Sequence, residues 1–150
     1  MPPSSERSLM KEFCCMDEAA KILAMRWLTK AKRDLLAARK LSSEEEPYLD
    51  IAIYHCQQAA EKAVKGYLVY HEHRVKKTHN IAVLIEQAAA FDESLLGHLD
   101  AAERLTPYAE AYRYPDEELE PSVEEFLRAF RAANEIYQTI SSRIQSALLL

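Results

Sequence analysis

From Ser122 to the end of the chain, Val123, Phe126, Phe130, Ala133, Tyr137, Ile140, Ile144 and Ala147 follow one another at spacings of three and four. Only an α-helix puts such positions on one face, because its 3.6-residue period returns a side chain to the same side every three or four steps. Ser122 and Glu125 form an S-x-x-E capping box, which gives this helix a defined start just after Pro121. The same periodicity governs the rest of the chain. Ala24, Leu28, Ala31, Leu35 and Ala38 predict a long first helix over about Asp17–Leu41, and Ile53, Cys56, Ala60, Ala63, Tyr67 and Tyr70 a second over about Tyr48–Glu72. The run from Ser42 to Pro47, with three consecutive glutamates, separates them as a loop.

The chain has only two glycines, Gly66 and Gly97, in 150 residues, so it lacks the turn chemistry of an all-β protein or a glycine-rich phosphate loop. A basic, histidine-bearing segment, His71–Asn80, reads as a solvated loop. A third helix follows, capped by Asn80 or Thr78 and burying Ile81, Leu84, Ile85, Ala88 and Phe91. A shorter helical piece over about Glu93–Leu105 is interrupted at Thr106–Pro107, and Tyr108–Tyr112 adds a turn or two before Tyr114–Pro115. The expected fold is all-α: an up-and-down antiparallel four-helix bundle with an extra short helix before the last long one. Residues 1–15 are expected to be an N-terminal tail and 16–150 the bundle.

A net charge of −5 argues against a general nucleic-acid-coating protein while leaving room for a local basic site. Cys14, Cys15 and Cys56 make no disulfide framework, no signal peptide or membrane span is legible, and a cytoplasmic setting is expected. Leu148–Leu150 is expected to continue the last helix. Neither the five histidines nor a Glu-x-x-His pair suggests a metal site, and no cofactor is expected.

Two segments stand out chemically. His55, Gln58, Lys62 and Lys65 share one ridge of the second helix, spanning only about 80° at about 100° per residue. Such a ridge can meet a phosphate, or can be an ordinary solvated face with Glu61 pairing to Lys65 at i,i+4. Tyr112–Arg113–Tyr114–Pro115 places two aromatics around an arginine at a helix break. Arg113 can clamp a phosphate while a tyrosine stacks on a base. The plain alternative has the tyrosines closing the bundle end and Arg113 pairing with Asp116 or the acidic residues 117–120. His71 and His73 read as loop residues, His98 as a helix-surface one.

The run Tyr54–His55–Cys56–Gln57–Gln58–Ala59–Ala60–Glu61–Lys62–Ala63–Val64–Lys65 resembles the second-helix signature of prokaryotic HEPN (higher eukaryotes and prokaryotes nucleotide-binding) domains. Thr78–His79–Asn80 is similar to the family's turn before the third helix, with Ile81 in place of Leu, and Arg113–Tyr114–Pro115 is similar to its Arg-Tyr-Pro segment. The resemblance runs from about Leu23 to Ile144. It implies a homodimeric bundle that binds nucleotide (ATP or GTP) or RNA phosphates, often beside an MNT-type minimal nucleotidyltransferase in toxin–antitoxin systems. On that resemblance the nucleotide-binding residues would be His55, Gln58, Lys62, Lys65, His79, Tyr112, Arg113 and Tyr114.

Many relatives are metal-independent RNases with an R-x4–6-H motif at the last helix. Here Arg113 is followed by Tyr-Pro-Asp-Glu-Glu-Leu-Glu, without the histidine, so a nuclease would need a relocated active site built from Arg113 and His79. Arg74 and His79 match the motif's spacing but fall between the second and third helices, where the family has no catalytic motif. The resemblance with its broken motif points to a non-catalytic nucleotide-binding partner. Its alternatives are an RNase toxin and a purely structural dimerisation module.

Overall fold

A computed structural model describes residues 4–116 and 118–149, with side chains from residue 17 onward. The expectations for Cys14 and Cys15, for Glu117 and for Leu150 lie outside the described residues and side chains. Every regular element is helical: α1 (Ser4–Ser42), α2 (Leu49–Tyr70), α3 (Ile81–Ala88), α4 (Leu99–Leu105) and α5 (Val123–Leu148). Single 3-10 turns at Glu93–His98 and Thr106–Ala109 flank α4. Helix α1 therefore begins well before the predicted Asp17. The segment predicted as one helix over Glu93–Leu105 is a 3-10 turn leading into a short α-helix, and Thr106–Pro107 opens another 3-10 turn rather than a break.

Helices α1 and α2 run antiparallel. The Tyr48 amide donates to the Leu41 carbonyl at 3.0 Å, His55 meets Asp34 at 2.8 Å, and Gly66 lies against Trp27 and Ala24. Numbers rising along α2 thus meet numbers falling along α1. At Gly66 the two backbones come so close that an added Cβ would stand 2.9 Å from the Trp27 Cβ and 3.3 Å from the Ala24 carbonyl oxygen. Glycine is needed there for close approach.

Helix α2 is the centre of the molecule, packed by α1 on one side, α5 on another and α3 at its C-terminal half. Its small predicted stripe is buried, with Tyr70 half-covered, but so is a second stripe, Gln57, Glu61, Val64 and Leu68. Helix α5 buries Phe126, Ala133, Ile140 and Ile144 as its periodicity predicts, and half-covers Phe130 and Tyr137; Val123, in its first turn, is exposed. The Asn80 side chain caps α3 as expected, accepting from the Val83 amide at 3.2 Å. Its first amide, on Ile81, donates to Thr106 Oγ1, whose hydroxyl donates to the Ala102 carbonyl, so one threonine pins α3 to the end of α4.

Three local expectations need correcting. Phe91 is exposed rather than core, and its ring stacks on His71 at 4.4 Å between centroids. His71, which closes α2 and also touches the Tyr67 and Tyr70 rings, is therefore a packed aromatic and not a solvated loop residue. The capping box of α5 is only half made. Ser122 accepts from the Glu125 amide at 3.1 Å, while the Glu125 carboxylate turns to two tyrosine hydroxyls. An ionised acceptor held by two phenolic donors gains more than one returning a bond to a solvated amide.

Candidate functional site

The ridge read from α2 is built around two carboxylates: Asp34, which the sequence did not flag, and Glu61, expected only as a surface partner of Lys65. Asp34 projects from the buried face of α1 and accepts from Lys62 Nζ at 2.6 Å, while its other oxygen pairs with His55 Nδ1 at 2.8 Å. On α2 itself, next to Lys62 in sequence, buried Glu61 accepts from Lys65 Nζ at 2.7 Å and from Gln57 Nε2 at 2.9 Å, and meets His79 Nδ1 at 3.0 Å. Gln57 Nε2 also reaches the His79 carbonyl, and its own oxygen accepts from Gln58 at 2.7 Å. These bonds satisfy polar groups that would be costly to bury alone.

Burial by itself would push the Asp34 and Glu61 carboxyls up. Their partners outweigh it: His55 and Lys62 for Asp34, and Lys65, Gln57 and His79 for Glu61. Both carboxyls end below their ordinary values.

The ridge is therefore not a uniform solvated face. Lys65 is 9% exposed and neutralised by Glu61, so the i,i+4 pair exists but as a buried one. Lys62 keeps 26% of its side chain exposed beside Asp34, and His79 keeps 70% in solvent.

Arg113 joins the ridge at its other end. Its guanidinium lies 4.9 Å from the centroid of the Tyr54 ring, a cation–π geometry, and one nitrogen donates to the Ala109 carbonyl at 3.0 Å. Tyr54 in turn sits edge-on to His55. Arg113, Tyr54, His55, Asp34 and Lys62 thus form one continuous chain of contacts. The pairing of Arg113 with Asp116 considered from sequence does not occur; among the described residues, ion pairs take in Lys21, Lys62, Lys65, Arg143 and two histidines, but not Arg113. Tyr114 is exposed beside it.

Tyr112 points away from this surface. Its hydroxyl donates to both oxygens of Glu125, at 2.8 and 3.0 Å, and Tyr108 donates to the same carboxylate at 2.7 Å. Burial and the neighbouring Glu125 push the Tyr112 phenol up to about 12, so it stays protonated as a donor. The Tyr112 backbone has φ of 66°, the left-handed region that a tyrosine enters only when surrounding contacts hold it. This turn aims the next side chain, Arg113, at Tyr54.

The two residues of the relocated-nuclease reading attach to α2 at separate points. Arg113 rests on Tyr54 and His79 on Glu61, seven residues and about 10 Å apart along the axis at 1.5 Å per residue. Arg74 and His79 both lie in the loop between α2 and α3, away from the start of the last helix where the family carries its motif. Among the described residues no group of His, Cys, Asp and Glu is placed to hold a metal ion, and no helix is long and apolar enough to cross a membrane.

Asp34 and Glu61 had a readable signal that the sequence analysis missed. Asp34 falls within the apolar stripe of α1, between Ala31 and Leu35, and Glu61 within the second stripe of α2. An acid on a buried face demands partners. That Tyr54 would carry Arg113 had no signal at all, since 59 positions separate them.

The HEPN domain family matches residues 24–144. Among solved structures, an archaeal HEPN homologue is 28% identical over 81% of this chain and 97% of its own, with a TM-score of 0.63. A protein from Thermus thermophilus is 25% identical over 79% of this chain and 96% of its own, with a TM-score of 0.69. No curated protein matches the chain.

Proposed function

Since this chain belongs to the HEPN family, we propose that it is a non-catalytic HEPN protein that binds the phosphates of a nucleotide or of RNA on the surface between Arg113 and His79. The observation that carries this reading is the state of Arg113: exposed, pre-set on the Tyr54 ring, with one nitrogen on a backbone carbonyl and no described carboxylate against it. Its remaining N–H donors suit bidentate contact with a phosphate. Tyr114, exposed alongside, offers a ring to a base. His55, Gln58, Lys62 and His79 border the surface, Lys62 reaching out from beside Asp34. Lys65 and Tyr112 shape it from beneath, the first through Glu61 and the second through Glu125.

In this reading the protein works as a homodimer beside an MNT-type minimal nucleotidyltransferase, in a toxin–antitoxin-like pair. The exposed Leu23, Leu36 and Ile51 side chains supply apolar surface for such contacts. The absence of a histidine after Arg113, and the separation of Arg113 from His79, favour binding over cleavage.

Calorimetric titration with ATP, GTP and a short RNA, beside the Arg113→Ala variant, tests the proposal. Saturable binding to at least one of them, lost in the variant while its thermal melt is unchanged, is expected. Binding unaffected by the substitution would remove Arg113 from the site, and RNA cleavage in the presence of a chelator would replace binding with catalysis.

A further inference from the structure

A cleft of about 210 Å³ lies between α4 with its trailing 3-10 turn and α5, lined in part by Tyr108. Four of its lining residues, Glu125, Arg128, Ala129 and Ala132, stand at i, i+3, i+4 and i+7 on one face of α5. Its floor is apolar and covered: Leu105, Ala129 and Ala132 are buried. Its rim carries Arg104 and Arg128, both exposed and neither in an ion pair with a described residue. Arg104 spends its Nε on the Asp100 carbonyl at 3.3 Å, which fixes the side chain and leaves its terminal nitrogens for other acceptors.

One carboxylate, Glu125, faces into the same cleft and bears on what fits. Its oxygens already accept from the Tyr108 and Tyr112 hydroxyls, so it is hydrogen-bonded without being neutralised. Among the residues that line the cleft itself, two arginines stand against one glutamate. Asp100 and Glu103 lie on the outer side of Arg104, in a separate surface depression. They limit the attraction for a multiply charged ligand. The volume equals about seven waters at the ~30 Å³ each occupies in the liquid. That is below the ~300 Å³ at which pockets for drug-sized ligands begin.

We propose that this cleft binds a small organic carboxylate, its head held by Arg104 and Arg128 and its short apolar body lying on Leu105, Ala129 and Ala132. A singly charged carboxylate matches the planar fork of an arginine and asks less of a site flanked by acids than a multiply charged ligand would. An apolar body displaces water from a floor that offers it few hydrogen bonds. The cleft shares Glu125 with the tyrosine turn before Arg113, but neither Arg113 nor the α2 ridge lines it.

Benzoate is the probe, followed by amide chemical shifts in the full chain, with inorganic phosphate (head without body) and benzyl alcohol (body without charge) as comparisons. Benzoate is expected to give saturable shifts at Leu105, Ala129 and Ala132. Arg104→Ala and Arg128→Ala should each weaken it at least about tenfold, the effect of losing a charge-assisted hydrogen bond, with unchanged melts. Arg113→Ala should leave benzoate binding as it was, which separates this site from the nucleotide surface. No saturable shift, equal affinity in Arg128→Ala, or equally tight binding of phosphate or benzyl alcohol would overturn the assignment.

Discussion

The α1–α2 ridge and the α4–α5 end both carry cations, yet the two treat positive charge in opposite ways. On the ridge each lysine was folded together with its own counter-ion, Lys62 with Asp34 and Lys65 with Glu61. The arginines that follow α3 behave otherwise: Arg104 and Arg113 each donate to a backbone carbonyl, Arg113 also lies on the Tyr54 ring, Arg128 is exposed, and none of the three forms an ion pair with a described carboxylate. A lysine whose charge is already spent inside the fold supports structure more than recognition. Around the candidate site the comparison leaves Arg113, rather than Lys65, as the cation free of a described counter-ion.

The comparison breaks most sharply at Glu61. Glu61→Ala would leave Lys65 buried and unpaired and take a partner from Gln57, and breaking a buried pair in this way costs about 3 kcal/mol. Chemical denaturation checks it, and a loss below about 1 kcal/mol would mean that Lys65 escapes to solvent. The next effect tests the close helix approach that brings Asp34 to His55 and Lys62. Gly66→Ala puts a methyl 2.9 Å from the Trp27 Cβ and should destabilise by about 2 kcal/mol, the usual range for overpacking. A neutral result would show that α1 slides freely on α2.

Acidification probes the same networks without mutation. The Asp34 and Glu61 carboxyls lie below their ordinary values when folded, so the stability they contribute is fully present above about pH 5. It is lost as the pH falls through their folded values. His71 adds to the same slope from higher up: burial holds its folded value below 6.5, so protonation in the unfolded chain draws stability away as the pH drops beneath that value. Melting temperatures across pH 3–7 should therefore fall toward acid. Glu61→Ala should flatten the low end of the curve, and a variant curve parallel to the parent's would deny Glu61 its role. The smallest effect belongs to the open end, where Arg113→Ala should change stability by no more than about 0.5 kcal/mol.

The helices were legible because their apolar stripes and the Asn80 and Ser122 caps are local signals, and the stripe residues of α1 are buried as read. The central position of α2 was less so. A helix packed on several sides needs a second stripe, and here that stripe contains Gln57 and Glu61, polar letters that read as surface. The ridge of the candidate site was visible as spacing, but its electrostatics were not, because Asp34 meets His55 and Lys62 only across the helix pair. Glu125 illustrates the same limit. Its position three after Ser122 reads as a cap, whereas tertiary packing delivers two tyrosine hydroxyls to it.

The contrast between spent and available charge is tested most directly by measuring nucleotide binding and melting temperature together in Lys65→Met and Arg113→Ala. The account predicts that Lys65→Met lowers the melt and keeps binding, whereas Arg113→Ala keeps the melt and loses binding. The reverse pattern, with Lys65→Met binding-deficient but stable and Arg113→Ala fully competent, would contradict it.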